Sequence, residues 1–347
     1  MKTIPIAPLA AVRPDPEIEA LPKADLHLHQ EWSPRLDRVL ARREGRPPFG
    51  WRDWAGWLMD ETPPGMPRLA RLGEIVPAPK EADDAPENFV ARVEEMLAEA
   101  ARDGAVLVEA RFGGETALRP DFMALFHEAE RRVRGRYPRM RAEAVVTLLL
   151  WYAPERLALL LDACLRAARA GLGGIDLLYN PYDTEAEWED ASRLAARVAD
   201  AGLGLTAHVG EFSTANIAAV LALPGLTRIG HAVHAARDPW LLDRAARSGV
   251  TIECCLSCNV VLGAVSSYEE HPIRQFTEHG IPVALGTDDP VQVCTTIGRE
   301  YAIAAALGFS PADLLGFTTN ALHASFAPTS RKEAILAELR AHQPSLA

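Results

Sequence analysis

The chain has 347 residues, of which 48% are hydrophobic and 24% charged, and this length suits one large barrel or two ordinary domains. Its formal net charge of −11 argues against nucleic acids and anionic membranes as partners, because phosphate binding depends on clustered Lys and Arg. The apolar run 144–153 is too short to span a bilayer. The first residues lack a signal-peptide pattern, and five cysteines are an odd number for a disulfide framework, so we expect a cytoplasmic protein.

Short apolar segments recur along the chain after a Pro-rich arm at residues 1–20, and a helical pattern follows most of them. Strands that alternate with helices predict a parallel sheet. The eight predicted strands are 24–29, 105–111, 142–150, 174–178, 204–209, 228–231, 250–255 and 282–286. Predicted helices include 85–102, 153–170, 185–201, 214–221, 239–248 and 268–278. Eight such units predict a closed (β/α)8 TIM barrel, with its active site at the carboxyl ends of the strands.

Residues 33–84 do not fit the strand–helix repeat, and they are rich in Pro and Trp (Trp51, Trp54, Trp57). An insertion after the first barrel strand emerges on the catalytic face, so this segment is predicted to be a helical, lid-like cover. A local hydrophobic plug without ligand contact is an equally open interpretation. From Gly298 onward we expect helices that close the barrel, and no linker divides the chain. The sequence therefore predicts a single domain over residues 1–347.

Potential metal ligands lie at the carboxyl ends of four predicted strands. The first strand ends at His27 and His29, and alternate strand residues point the same way. The fifth, sixth and eighth strands end at or run into His208, His231, Asp288 and Asp289. Strand ends that are distant in sequence converge in a closed barrel, and His and Asp are good ligands for zinc or a similar divalent ion. The pattern therefore predicts a metal centre.

Metal-assisted hydrolysis also needs groups that move protons. A bound metal lowers the pKa of its water from about 15.7 towards about 7, and another group must take the water's proton. Asp289 and His231 flank the expected metal position and are predicted for that task. Glu211, just beyond His208, is predicted to deliver a proton to the substrate. A carboxylate that only stabilises the start of the next helix is the alternative for Glu211.

Motifs spread over most of the chain resemble those of the adenosine deaminase family, in the same order. The matching segments are LPKADLHLH, DGAVLVEARF, GGIDL, TAHVGE, RIGHAVH, ECCLSCNVVLG and LGTDDP. This resemblance implies a hydrolytic deaminase that removes an amino group from an aminopurine-type ring and releases ammonia.

The resemblance also implies one zinc ion per chain and a role for each site residue. The ligands of this zinc ion would be His27, His29, His208 and Asp288. Glu211 would protonate a purine ring nitrogen, while His231 and Asp289 would position and deprotonate the attacking water. The implied partner is a small-molecule substrate, and the sequence does not determine the oligomeric state.

Three positions depart from the family pattern around the expected substrate. Glu31 keeps a carboxylate that in the family contacts the sugar end of the substrate, but Trp32 replaces the next glycine. Tyr179 replaces a glycine after the fourth strand, and Ala232 replaces one after the catalytic histidine. Glycine at such points permits close backbone approach. Glu31, Trp32 and Tyr179 are therefore predicted to bind substrate in a reshaped pocket, which makes a derivative of adenosine or another amino-heterocycle at least as good a candidate as adenosine.

Other metal chemistries fit the sequence less well. The C-x-x-C at 255–258 and the H-x-E at 29–31 resemble the two metal-binding motifs of a second zinc deaminase class. In that class the motifs lie close together in sequence, whereas here they lie at opposite ends of the chain. A binuclear centre needs a lysine at the fourth-strand end, where Asp176 is predicted instead to orient a loop or a ligand histidine. Asn259 is predicted to shape the turn after the seventh strand. A metal-dependent hydrolase of a non-purine C–N bond and a non-catalytic binding barrel remain as alternatives.

Overall fold

The computed structural model describes residues 6–12, 14–74, 85–179, 183–186 and 188–342. Eight parallel strands follow one another in chain order, and each is hydrogen-bonded to the next. They are β1 (Lys23–His29), β2 (Ala105–Gly113), β3 (Arg141–Leu149), β4 (Gly174–Leu178), β5 (Gly204–Val209), β6 (Arg228–His231), β7 (Thr251–Cys254) and β8 (Val283–Leu285). All eight predicted strands are confirmed, with ends displaced by at most two residues.

The barrel is nearly closed by contacts between β1 and the segment that follows β8. Leu28 forms a parallel bridge with Asp288. The backbone N–H of His29 donates to the Asp288 carbonyl at 2.8 Å, and the Asp288 N–H donates to the His27 carbonyl at 2.6 Å. The predicted (β/α)8 barrel is therefore confirmed, and its closure brings Asp288 beside both histidines of β1.

Helices surround the strands, and further helices precede β1 and follow β8. They are α1 (Pro16–Ala20), α2 (Trp32–Glu44), α3 (Trp51–Glu61), α4 (Met66–Glu74), α5 (Pro86–Arg102), α6 (Phe122–Arg136), α7 (Pro154–Ala168), α8 (Glu189–Asp200), α9 (Ile217–Val220), α10 (Pro239–Ser248), α11 (Leu256–Val261), α12 (Ile273–Glu278), α13 (Ile297–Ala306), α14 (Pro311–Ala324) and α15 (Thr329–His342). No helix of the described residues is long and apolar enough to cross a membrane.

Several helix boundaries differ from the sequence prediction, and α6 was not predicted at all. The helix predicted over 185–201 begins only at Glu189, because the Asn216 side chain fixes the preceding segment as a loop. Its Oδ1 accepts from Ala186 N (2.9 Å) and Trp188 Nε1 (2.8 Å), and its Nδ2 donates to the Thr184 carbonyl (2.7 Å). The helices predicted over 214–221 and 268–278 shorten to α9 and α12.

The insertion after β1 packs against the catalytic end of the barrel. Its described part folds into α2, α3 and α4, and residues 75–84 of the predicted insertion lie outside the described residues. Buried Trp51, Trp54 and Leu58 form one cluster with residues that follow β7 and β8, including Cys258 and Val291. The described part of the insertion is therefore helical and forms a layer over the loops of these two strands, and its role as a lid-like cover stays a prediction.

The opposite end of the barrel is packed around the ring of Phe326. A Cβ built on Gly174 or Gly204, the first residues of β4 and β5, would lie 2.2 Å or 1.9 Å from ring atoms of Phe326. The Arg228 guanidinium stacks over the same ring at 3.7 Å from its centroid. Glycine is required at both strand starts because the ring occupies the space of a side chain.

Replacing Gly204 with valine is expected to destabilise the fold by about 1–3 kcal/mol or more, since the new side chain must displace the Phe326 ring from a packed end of the barrel. Urea unfolding would measure the loss. Gly113→Val is the matched control, because a Cβ at Gly113 meets no atom within 4 Å. Equal stability of the two variants would contradict this packing argument.

Candidate active site

The predicted ligands converge at the carboxyl ends of the strands. Nε2 of His208 lies 3.0 Å from His27 Nε2 and 3.1 Å from His29 Nε2. Oδ1 of Asp288 lies 3.3 Å from His29 Nε2 and 3.6 Å from His27 Nε2, and its Oδ2 lies 3.6 Å from His231 Nε2. Ligand atoms of His27, His208, His231 and Asp288 all lie within 4.8 Å of one another. The structure thus brings these five side chains together, with His29 the most exposed of them.

Two glycines make room for the imidazole of His27 inside the barrel. A Cβ at Gly230 of β6 would lie 2.7 Å from His27 Cε1, and a Cβ at Gly286 would lie 2.6 Å from His27 Cβ. Only a residue without a side chain allows this approach. The ring is fully buried as a result.

Buried carboxylates orient two of the ligand histidines. Nδ1 of His27 lies 2.8 Å from Glu253 Oε2, and Nδ1 of His208 lies 2.9 Å from Asp176 Oδ2. The Arg111 guanidinium links the two carboxylates, since it is hydrogen-bonded to Glu253 and lies 3.4 Å from Asp176. Burial opposes charge on Asp176, but His208 and Arg111 outweigh it and lower the pKa of that carboxyl. The interaction predicted between Asp176 and a ligand histidine is therefore present.

The arrangement of these groups fits a divalent metal. Because Glu253 and Asp176 accept hydrogen bonds from the Nδ1 atoms, the Nε2 atoms of His27 and His208 carry lone pairs that face each other at 3.0 Å. Two lone pairs at that distance repel unless a cation lies between them, and nitrogen ligands of tetrahedral zinc lie about 3.3 Å apart for Zn–N bonds of about 2.0–2.1 Å. Arg111 Nη1 also approaches His27 Nε2, at 3.1 Å.

Metal binding requires neutral imidazole rings, and the pKa values of three rings in the cluster are shifted in that direction. Burial, followed by the Arg111 charge, lowers the pKa of His27 well below its usual value. Burial, followed by the neighbouring His208 ring, does the same for the pKa values of His29 and His231.

Replacing Asp176 with asparagine is expected to weaken metal binding about 10–100-fold, because the His208 Nδ1–H then faces a neutral amide oxygen in place of a charged acceptor. Competition with a metal chelator would measure the affinity. The exposed Asp162→Asn is the control, since Asp162 pairs only with Arg197 at the surface among the described contacts. Unchanged affinity in Asp176→Asn would show that this carboxylate does not support the ligand.

The predicted proton-transfer groups lie beside the ligand cluster. Asn259 Nδ2 lies 3.0 Å from Glu211 Oε1 and 3.1 Å from His231 Nδ1. Burial, and after it the nearby Asp288 charge, raises the pKa of Glu211 well above its usual value. Burial and Asp288 likewise raise the pKa of Asp289. The structure therefore places the Glu211 carboxyl and the His231 imidazole on one amide, and Asp289 directly follows the predicted ligand Asp288.

The backbone adopts left-handed conformations at this point. His231 and Asp288 each have φ of 62°, and Ala232 has φ of 52°. Such values are uncommon for residues other than glycine, and they cluster at functional sites. They also explain the usual glycine at the position of Ala232, because glycine adopts this conformation without a steric penalty.

Of the predicted substrate-binding residues, Glu31 contacts its own chain. Its Oε1 accepts from the backbone N–H groups of Val291 (2.8 Å) and Gln292 (3.2 Å), and its Oε2 lies 3.3 Å from Arg35 Nε. Burial raises the pKa of Glu31 to about 8, against the opposing charge of Arg35. The side chain thus fixes the loop that carries Asp289.

The other two predicted substrate-binding residues are not brought to the ligand cluster by described contacts. The side chain of Trp32 lies outside the described residues. Tyr179 is half-buried and lines a cavity of about 370 Å³ with Leu161, Trp188 and Leu194, and none of the predicted metal ligands is among its described lining residues. Substrate binding by Trp32 and Tyr179 stays a prediction.

A buried network of charged side chains below the ligands was not predicted from the sequence. Arg228 Nε donates to Glu253 Oε1 and its Nη2 donates to Glu109 Oε2, each at 2.6 Å. Together with Arg111 these side chains are completely or almost completely buried. Their signal was present, because a charged residue in an otherwise apolar barrel strand must find a buried partner.

Comparisons with known proteins agree with this geometry. Residues 80–342 match the model of the adenosine deaminase family. The chain is 30% identical over 339 residues to an adenine deaminase of Rhizobium leguminosarum bv. trifolii, covering 92% of this chain and 99% of the relative. The fold is similar to the N6-methyl-AMP deaminase of Arabidopsis thaliana, with a TM-score of 0.75, 22% identity, and 95% and 99% of the two chains covered.

A second similar structure is an amidohydrolase of Burkholderia ambifaria with bound Zn, with a TM-score of 0.76 and 21% identity, covering 95% of this chain and 92% of that one. The resemblance found in the sequence motifs is confirmed by the family model and by the full-length relative. The chain belongs to the adenosine deaminase family and is a metal-dependent hydrolytic deaminase.

Proposed function

We propose that this protein is a zinc-dependent deaminase of a small aminopurine, from which it releases ammonia. The observation that carries the proposal is the position of Glu211 and His231, which share one amide donor beside a converged set of three more ligand groups. A binding protein has no need for a buried, protonatable carboxyl at that place. Hydrolytic deamination needs one, because the ring must receive a proton as the water attacks.

The metal would be held by His27, His29, His208 and Asp288. Distances alone do not separate His29 from His231 as a ligand, since both lie against Asp288. The family resemblance favours His29 and leaves His231 for the reaction. A bound zinc would supply Lewis acidity and would lower the pKa of a water to about 7.

The remaining roles follow from the groups around the ligands. Glu211 is buried and its pKa is raised by that burial, which suits a group that donates a proton to a purine ring nitrogen. His231 Nε2 lies 3.6 Å from Asp288 Oδ2, and Asp289 is the next residue after Asp288. These two residues orient the attacking water and take up its proton. Asn259 is hydrogen-bonded to both Glu211 and His231 and fixes their relative positions. Each of these side chains except the partly buried Asp289 is shielded from solvent, which strengthens their interactions with a bound ring.

The proposed substrate is of adenine size. Glu31, which in the family contacts the sugar end of a nucleoside, holds two backbone N–H groups through its Oε1. Its buried Oε2 lies 3.3 Å from Arg35 Nε and has no hydrogen-bond partner among the described residues. The name of the Rhizobium relative, an adenine deaminase, supports the choice of an adenine-sized substrate.

Ammonia release from the zinc-loaded protein would test the proposal. The panel would contain adenine, adenosine, N6-substituted adenine compounds, pterins and other amino-heterocycles. We expect release from at least one aminopurine, with adenine preferred to adenosine. Silence on every aminopurine, with stoichiometric metal bound, would overturn the proposal and favour hydrolysis of another C–N bond.

A further inference from the structure

A buried chain of hydrogen bonds joins the start of α12 to the catalytic groups. The backbone N–H of Ile273 lies 3.2 Å from His271 Nδ1, and His271 Nε2 lies 3.2 Å from Asn259 Oδ1. On its other side, Asn259 Nδ2 lies 3.0 Å from Glu211 Oε1 and 3.1 Å from His231 Nδ1. These hydrogen bonds therefore connect His271 to Glu211 and His231, although His271 touches neither of them directly in the described contacts.

The direction of each hydrogen bond in this chain follows from its first member. A backbone N–H can only donate, so Nδ1 of His271 accepts and the proton of that ring is on Nε2. Burial lowers the pKa of His271 to about 3, which keeps the ring neutral. Its Nε2–H needs an acceptor, which fixes the oxygen of the Asn259 amide on this side and the NH2 group on the other.

The oriented amide determines which atoms of the catalytic pair carry hydrogen. Its two N–H groups donate to Glu211 Oε1 and to His231 Nδ1. An Nδ1 that accepts leaves the proton of a neutral His231 on Nε2, the atom that lies 3.6 Å from Asp288 Oδ2. When Glu211 carries its proton, an Oε1 that accepts from Asn259 leaves Oε2 as the oxygen that holds it.

We propose that His271 is a positioning residue which, through Asn259, sets the tautomer of His231 and the protonated oxygen of Glu211. This proposal rests on the proposed function. It assigns separate roles to His231 and Asp289, which the sequence predicted together to position and deprotonate the attacking water. His231 donates a hydrogen bond from Nε2 and orients the attacking water, whereas Asp289 accepts the proton of that water. Glu211 delivers its proton from Oε2.

The side chain of Asn259 is available for this role because its backbone makes the adjacent turn. The Asn259 carbonyl accepts from Ala264 N at 2.8 Å and from Val265 N at 3.2 Å. Asn259 lies within α11, so the segment predicted as a turn after the seventh strand is a short helix, and these bonds close its end. The amide is fully buried and both of its ends are hydrogen-bonded.

Steady-state kinetics of the zinc-loaded enzyme would test the proposal through His271→Leu and His271→Gln. Leucine removes the donor to Asn259, so kcat is expected to fall about 10–100-fold while KM and metal content stay unchanged. Glutamine places an amide N–H near the position of Nε2 and should restore most of the loss. The exposed His279→Leu is the matched control. A leucine variant as active as the control, or a glutamine variant no better than leucine, would overturn the proposal.

Imidazole 15N NMR of the zinc-loaded protein would test the tautomer without any reaction. His231 is expected to show an unprotonated Nδ1 in the wild type, and a mixture of tautomers in His271→Leu. A protonated Nδ1 on His231 in the wild type would overturn the proposal whether or not the protein is active. Inactivity on all aminopurines with the expected tautomer in place would overturn only the proposed function.

Discussion

Replacing Glu211 with glutamine is expected to lower kcat for deamination by about 10²–10⁴-fold, the range typical of a lost general acid. Glutamine keeps the shape of the side chain and can still contact the Asn259 amide, but it has no proton of suitable acidity to give to the ring. Metal content and KM are expected to change little, because Glu211 is outside the proposed ligand set. The loss would be measured as ammonia release under saturating substrate.

Two comparisons would make the Glu211 result specific. Glu189→Gln at the exposed start of α8 removes a carboxylate far from chemistry and should keep full activity. Metal analysis of the Glu211 variant should match that of the wild type. Near-normal kcat in Glu211→Gln would show that the proton comes from another group and that Glu211 has a structural role only.

Replacing His208 with asparagine is expected to abolish metal binding and to lower activity by at least about 10³-fold. A catalytic metal contributes several kcal/mol of charge stabilisation, and each factor of ten in rate corresponds to about 1.4 kcal/mol. His208 is the ligand that approaches both histidines of β1, so its loss leaves the other groups without their shared partner. Elemental analysis of the purified variant would measure the bound metal.

The half-exposed His127 provides a control for the His208 variant. His127→Asn removes an imidazole from α6 that contacts the Ala170 carbonyl and Glu130, far from the ligands in sequence. It should bind metal and turn over like the wild type. Thermal unfolding of His208→Asn in chelator would show whether the barrel persists without the ring. Stoichiometric metal in His208→Asn would contradict its assignment as a ligand.

The strands and the ligand cluster could be predicted from sequence because one physical rule governs both. Buried parallel strands are apolar runs, and the polar residue that ends such a run lies at the catalytic rim of a barrel. His208 and His231 stand at the ends of β5 and β6, and His29 ends β1. No knowledge of distant contacts was needed, since barrel closure alone brings these ends together.

Contacts between distant side chains could not be predicted in the same way. The link from Glu253 to His27 joins β7 to β1 across the barrel, and sequence periodicity gives no information on such pairs. The same holds for the hydrogen bond by which Glu31 Oε1 holds the backbone N–H of Val291, while substrate binding by Glu31 stays a prediction. Helix starts were also missed where a side chain such as Asn216 holds the preceding residues in a loop.

The most direct measurement is the mass of the product formed from an aminopurine in H2(18)O by the zinc-loaded protein. Hydrolytic deamination exchanges the exocyclic amino group for one oxygen from solvent. The expected product is therefore the corresponding oxopurine carrying one heavy oxygen, formed together with an equal amount of ammonia and lost in Glu211→Gln. A product that keeps its amino nitrogen, or that contains no solvent oxygen at the former amino carbon, would contradict hydrolytic deamination by this site.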